Sequence, residues 1–156
     1  MYTGNTKIIK AYLVDWNTSE KIIFQYNPPE WEDRRSVNYT EIVIPGISHP
    51  VYQYVASGER SVNFTIQLNA MYNKNAMYIA HWIRARTYPV RSNISIQNAP
   101  HKVVFIWPNA ISLLGVITDA NRKIEDHFPD GRIKLMSLEV TIKEAIKKSW
   151  SFDMVR

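Results

Sequence analysis

The segment at residues 60–68 constrains the fold more than any other part of the chain. It alternates strictly between apolar and polar side chains, and the apolar positions are Val62, Phe64, Ile66 and Leu68. Successive side chains of a β-strand point to opposite faces of a sheet, so this alternation predicts a strand with one face on a core and one in water. The chain therefore contains a sheet that covers a hydrophobic core on one side.

Most of the remaining chain also has strand character. Runs rich in Val, Ile, Leu and Tyr lie between Asn, Pro and Gly turn signals, and the first two runs form an opening hairpin. In the last run the apolar phase shifts between Leu135 and Met136, which predicts a β-bulge or a change of sheet. We predict strands at residues 7–15, 21–26, 36–44, 102–107, 114–119 and 133–144.

One helix is predicted. Ala76, Ile79, Ala80 and Ile83 recur at helical spacing after an N-cap at Asn73 or Asn75. The helix is expected to end near residue 87, because Pro89 disfavours helical geometry in the residue before it. Six or more strands and one helix predict a mainly β fold, as a two-sheet barrel or sandwich with a flanking helix. With 156 residues and no linker, residues 1–156 are expected to form one domain.

Composition excludes several kinds of site and predicts the compartment in which the chain is made. There is no cysteine, so disulfides, thiolate metal sites and a cysteine nucleophile are excluded. The first residues lack the pattern of a signal peptide, which predicts synthesis in a cytoplasm. No apolar run approaches the roughly 20 residues that a membrane-spanning helix needs, so no membrane insertion is expected.

Motifs of enzymes and metal sites are missing. No two of the four histidines have the spacing of a metal-binding helix, no G-x-S-x-G motif occurs, and no pair of carboxylates can be assigned to a cleft. Residues 119–130 resemble a calcium loop, but Lys123 and Ile124 stand where an oxygen ligand and a glycine are required, so we interpret the segment as a solvated loop. We expect no catalytic residue, no cofactor and no bound metal, and an enzyme acting on cell wall is the least favoured reading.

Binding of single-stranded nucleic acid is the main alternative that composition leaves open. The formal net charge is +5, and Trp31, Tyr52 and Tyr54 accompany Arg34 and Arg35. Aromatic rings beside cations can stack bases along a groove. Most aromatic residues, however, fall at strand positions that a core would need in any case.

A longer pattern carries a family resemblance. "FQYNPPEWEDRRSVNYTEIVIPGISHPVYQYVASGERSVNFTIQL", residues 24–68, resembles the N-terminal domain of tail tube-initiator (baseplate hub) proteins of phages and contractile injection systems. That family has an "FQ(F/Y)NP" strand end followed by a segment like "PG…HP…Q…GERx(I/V)xFT". The following helix and the ending "GVITDANRKIEDHFPDGRIKLMSLEVTIKE" are similar too, whereas the LysM-type module found in relatives has no counterpart within the 156 residues.

The resemblance implies a fold and a function. The expected fold is tail-tube-like: two packed sheets, one flanking helix and a long β-hairpin arm. The expected role is structural, in a ring, six-fold in the family, between baseplate hub and tail tube; tube initiator, tube subunit and hub adaptor stay open. The implied partners are other copies of the chain, the tail tube protein and hub or spike proteins, with DNA only passing through the lumen. The location would be the virion tail or baseplate, assembled in the host cytoplasm.

The hairpin arm is the expected subunit interface. Its apolar residues around the Pro45-Gly46 turn suit burial against a neighbour, although a hairpin that folds back on its own barrel is the alternative. Glu59 and Arg60 are either a charge pair across the interface or an ordinary strand-edge pair. The residues assigned to the interface are Arg34, Arg35, Ile44, Ile47, His49, Val51, Tyr52, Tyr54, Glu59 and Arg60.

Overall fold

Nine strands and one helix follow one another in residues 7–91 and 97–145, the part of the chain that the computed structural model describes. The elements are β1 (Tyr12–Asp15), β2 (Lys21–Ile23), β3 (Trp31–Ile42), β4 (Val51–Asn69), α1 (Ala76–Ala85), β5 (Val90–Arg91), β6 (Gln97–Asn98), β7 (Val103–Trp107), β8 (Ile111–His127) and β9 (Ile133–Glu144).

Seven of these strands form one antiparallel sheet, in the order β2-β1-β7-β8-β9-β4-β3. The short strands β5 and β6 pair separately as a two-stranded ribbon. The prediction of a mainly β fold with one helix is confirmed. The long neighbours β3, β4, β8 and β9 make up most of the sheet, and β2 and β3 are its two edges.

The sheet is curled but open, which corrects the expectation of two separate sheets or a closed barrel. Phe64 on β4 and Phe105 on β7 stack with ring centroids 4.6 Å apart. Two strands lie between them, so a flat sheet would separate these positions by about 14 Å. The sheet therefore bends until its two halves face each other across the core, while β2 and β3 remain unpaired as edges among the described strands.

The core fills the inside of this curl. The alternation at residues 60–68 is confirmed, because Val62, Phe64, Ile66 and Leu68 are all buried. Phe24, at the end of β2, packs against both Phe64 and Phe105 with centroids 5.5 and 6.2 Å away. Three aromatic rings from distant parts of the chain thus join the two halves of the sheet.

The helix lies where it was predicted and ends two residues earlier. Its apolar face, with Ala76, Ile79, Ala80 and Ile83, is buried, and it contacts both β2 and β4. The residue before the helix is Asn75, whose own side chain makes no capping hydrogen bond; the Oδ1 of Asn73 accepts the Asn75 amide instead, at 2.9 Å. No helix in the described part of the chain is long and apolar enough to cross a membrane.

Two side-chain amides of the "FQYNP" segment form hydrogen bonds with backbone groups that no neighbouring strand pairs with. Gln25 bonds the backbone of Asn69 twice: its Oε1 accepts the Asn69 amide at 2.8 Å and its Nε2 donates to the Asn69 carbonyl at 3.0 Å. Asn27 does the same with the Ala11 amide and the Ile9 carbonyl, both at 2.9 Å. This motif therefore ties the start of the chain and the end of β4 to the region after β2.

Residues 119–130 are not the solvated loop that we expected. β8 continues to His127 and pairs with β9 as a second long hairpin, turning through Gly131 at φ 89°. Two register shifts flank Leu135, close to the predicted phase shift: Glu125 is an extra residue on β8, and Lys134 is an extra residue on β9. The outer half of β8 is largely exposed on both faces, so it lacks the alternation by which strands are recognised.

Candidate subunit interface

The outer halves of β3 and β4 form a β-hairpin whose side chains are largely exposed. We call residues 36–58 the arm. β3 is exposed along its whole length, and β4 is largely exposed up to residue 60. The tip turns as predicted, with Gly46 at φ 88° and a hydrogen bond from the Ile47 amide to the Ile44 carbonyl at 3.2 Å. The arm thus does not pack on the described part of its own chain.

Strand register separates the arm into two different faces. Trp31 and Asp33 lie opposite the core residues Phe64 and Val62, so the odd-numbered residues of β3 share the face that continues the core. Farther out, this face carries Val37, Tyr39, Tyr52 and Tyr54, which we call the aromatic face. Their exposed fractions run from 44% to 64%, an unusual exposure for large apolar side chains that share one face.

The aromatic face is ordered by contacts along the arm itself. Tyr39 and Tyr54 are cross-strand partners and meet edge to face with ring centroids 5.8 Å apart. The hydroxyl of Tyr54 lies 3.0 Å from that of Ser57. Such contacts order the rings within the single chain, and side chains that are already ordered lose less entropy when a surface is buried.

A β-bulge marks the base of the arm. One residue of β3, Ser36, stands opposite two residues of β4, Gly58 and Glu59. A Cβ on Gly58 would come within 2.6 Å of the Ser36 carbonyl oxygen, so only glycine fits there. The Ser36 hydroxyl accepts the Glu59 amide at 3.0 Å and fixes the bulge. The glycine of the "GER" motif therefore sets the direction of the arm.

Arg60 anchors the base of the arm to the sheet. Its guanidinium binds both carboxylate oxygens of Asp33, at 3.0 and 2.8 Å, and reaches Glu144 on β9 at 3.1 Å. These hydrogen bonds, above all those to Asp33, raise the pKa of Arg60 above its usual value, although partial burial acts in the opposite direction. Glu59 pairs with Lys143 at 3.1 Å. Glu59 and Arg60 thus both form ion pairs within the chain. A contact of either residue with another subunit, as predicted from the sequence, would be additional to these ion pairs.

The other predicted interface residues are distributed over the tip, the aromatic face and the base. Ile44, Ile47 and His49 lie at the exposed tip, and Val51 begins the outer strand. Tyr52 and Tyr54 belong to the aromatic face. Arg34 is on the opposite face and pairs with Glu32 at 3.3 Å, whereas Arg35 lies opposite Arg60. The structure therefore brings Tyr52 and Tyr54 together on one surface and separates Arg34 from it.

A polar cluster outside the arm was not predicted from the sequence. The fully buried carboxylate of Asp15 lies 3.0 Å from Nε of Arg86 and 2.9 Å from Nδ1 of His101. Arg86 also pairs with Glu20 at 2.7 Å and covers the Trp82 ring, 3.8 Å from its centroid. The cluster joins the β1–β2 hairpin to the end of α1. It brings together residues up to 86 positions apart, so no local pattern reveals it.

The environment of Asp15 keeps its carboxylate charged. Burial raises its pKa, but the hydrogen bonds from His101 and from the amides of Thr18 and Asn17 lower it more, so the pKa lies below that of an ordinary aspartate. Among the described residues, no group of three His, Asp or Glu side chains is placed to hold a metal ion. Asp15 is therefore an ionised anchor within the fold.

Comparison with known proteins gives no assignment. No family model matches the chain, and no curated protein is significantly similar to it. The geometry of the arm is therefore the ground on which a function is proposed.

Proposed function

We propose that the chain is a structural component of a phage tail or a phage-like contractile injection system. In this proposal it forms a ring at the junction of baseplate hub and tail tube and initiates or connects the tube. The observation that carries the proposal is the arm: an ordered hairpin whose aromatic face is unpaired in the single chain. An element of this kind is stabilised by burial against another subunit.

Ring closure requires two different surfaces on each subunit, because head-to-tail contacts are made by a protruding element and a receiving surface. The arm supplies the protruding element. Its fixed base, through Gly58 and Arg60, holds it in one direction relative to the sheet. A defined direction favours a constant rotation between neighbours, which is what a closed ring needs.

The charge of the arm favours a protein partner over nucleic acid. Between Ser36 and Gly58 the only Asp, Glu, Lys or Arg is Glu41, which lies opposite Tyr52 on the aromatic face. Binding of single strands combines stacking rings with cations that track the phosphates. Here the rings lie beside a carboxylate, while Arg60 is bonded to Asp33 and Glu144.

Light scattering and negative-stain imaging of the full chain test the proposal. We expect closed rings with a central pore wide enough for a tail tube lumen. A chain that stays monomeric at all concentrations contradicts it. If such a monomer also retards single-stranded DNA on a gel, with strong salt dependence, nucleic-acid binding is the better assignment.

Matched variants show whether assembly uses the aromatic face. Tyr39→Ser with Tyr54→Ser should abolish rings and leave the monomer folded, since both rings are more than half exposed. Tyr78→Ser with Tyr88→Ser removes two equally exposed tyrosines outside the arm and should leave rings intact. Equal loss of assembly in both variants would show that the arm has no special part in it.

A further inference from the structure

A groove lies at the end of the sheet where β4 leads into α1 and β8 turns into β9. It measures about 680 Å³ and its apolar lining includes Met71, Met77, Phe128 and Ile133. This volume is in the range of pockets that hold a ligand or a few side chains. Methionine is unbranched and polarisable, so a groove with two of them adapts to irregular apolar partners.

The rim of the groove is basic. Lys74 and Arg132 line it, and within the described part of the chain no Asp or Glu is among its lining residues. Arg132 packs over the Phe128 ring at 5.3 Å and is paired with Asp130 at 2.6 Å, which partly neutralises it. The groove therefore suits an apolar segment that carries a negative charge.

The tip of the arm has these properties. Val43, Ile44 and Ile47 are exposed by 78%, 42% and 54%, so the tip is not seated in a pocket of its own chain. Glu41 gives the whole arm a single formal negative charge and no formal positive one, with histidine counted as neutral. Apolar side chains together with one carboxylate match an apolar groove with a basic rim.

One molecule does not bring these two surfaces together. The tip precedes β4 and the groove follows it, and the 19 residues of this strand span about 60 Å when extended. We propose that the groove receives the arm tip of a second copy of this chain, with Ile44 and Ile47 among the methionines and Glu41 near Lys74. This rests on the proposed function, for which it names the receiving surface.

Mixing two singly substituted chains tests the contact directly, since the chain has no cysteine of its own. Ile47→Cys and Met71→Cys proteins, mixed and treated with a short thiol-reactive cross-linker, should give a dimer that neither protein gives alone. The matched control pairs Ile47→Cys with Ile23→Cys, whose position is 51% exposed on β2 and does not line the groove. This control should give no more than background.

Charge reversal provides a second readout. Glu41→Lys and Lys74→Glu should each weaken association roughly 5–10-fold, as expected for reversal of a partly exposed charge pair. The two changes together should restore much of the loss. Additive losses in the double variant would contradict contact between the two side chains.

The outcomes separate this inference from the ring proposal. Rings without the specific cross-link overturn the groove as receiving surface and leave the ring proposal standing. The specific cross-link in dimers or open filaments supports the groove and contradicts a closed ring. Absence of both assembly and cross-link overturns both.

Discussion

The two halves of β4 belong to one strand but have opposite environments. In residues 62–68 alternate side chains are buried, and the strand pairs with β9 on one side. In residues 51–59 the strand pairs only with β3, and every residue except Gly58 is exposed. Yet both halves place apolar residues on one face. The inner half uses that face to fold, whereas in the outer half the same face is exposed, and we propose that a partner covers it.

The boundary between these halves is built from particular residues. Gly58 allows the bulge, and Arg60 bonds across β3, β4 and β9 immediately after it. Beyond this point β9 no longer accompanies β4, because their pairing ends at Ser61 and Lys143. The outer half consequently has little besides its own hairpin pairing to stabilise it, and mutations should separate folding from assembly at this boundary.

The largest contrast is expected between Phe64→Ala and Tyr54→Ala. Phe64 packs against two phenylalanines in the core, so its truncation should cost about 3–5 kcal/mol of unfolding free energy. Tyr54 is 55% exposed and loses mainly its contact with Tyr39, so the cost should be about 0.5–1 kcal/mol. Urea unfolding of monomeric protein measures both. Similar costs would mean that the arm is part of the cooperative core.

A smaller loss of unfolding free energy is expected for Asp15→Asn, a change that lies outside the arm. The variant removes the charge that faces Arg86 and His101, which should cost about 1.5–3 kcal/mol at neutral pH. Because the folded pKa of Asp15 lies below its unfolded value, its contribution is present above about pH 4 and is lost as the pH falls through the folded pKa.

Unfolding curves of wild type and Asp15→Asn at decreasing pH measure that dependence. The difference between them should shrink below about pH 4. Glu32→Gln, at an exposed carboxylate on β3, is the control and should differ little from wild type at any pH. A constant difference down to strongly acidic pH would show that the charge of Asp15 does not stabilise the fold.

The smallest effect on global stability is expected at the boundary itself. Arg60→Met should cost about 1 kcal/mol, because Arg60 is partly exposed and its ion pairs are screened. The same change should make residues 36–58 more sensitive to limited proteolysis, since the arm loses its link to Asp33 and Glu144. Arg34→Met, at a 75% exposed side chain, should change neither property. Unaltered cleavage in Arg60→Met would mean that the bulge alone fixes the arm.

The sequence predicted those elements that bury one regular face. The alternation at residues 60–68, the helical spacing from Ala76 to Ile83 and the Pro45-Gly46 turn all correspond to structure, because burial and a required φ leave local signatures. The outer half of β8 has no such local signature in the sequence, because it is stabilised by pairing with β9 and exposes both faces. A strand without a buried face has no reason to alternate.

Within the candidate interface, the sequence identified the apolar residues but not their arrangement. Whether Tyr52 and Tyr54 share the face of Phe64 depends on two bulges in β4 that lie between them and the core half, and the position of one bulge is set by the contact of Gly58 with Ser36. The role of Arg60 was also hidden, since Glu144 lies 84 residues away. Long-range pairing of this kind depends on the folded topology and not on local pattern.

The side-chain amides of Gln25 and Asn27 offer a way to follow local opening of the structure. Each accepts a hydrogen bond from a backbone amide, that of Asn69 or that of Ala11. These two amide protons are therefore protected from exchange by a side chain and not by a neighbouring strand. Hydrogen–deuterium exchange at these two protons therefore reports whether the "FQYNP" segment remains seated. Because Asn69 leads directly into the groove beside Met71, the same exchange rate records local opening there.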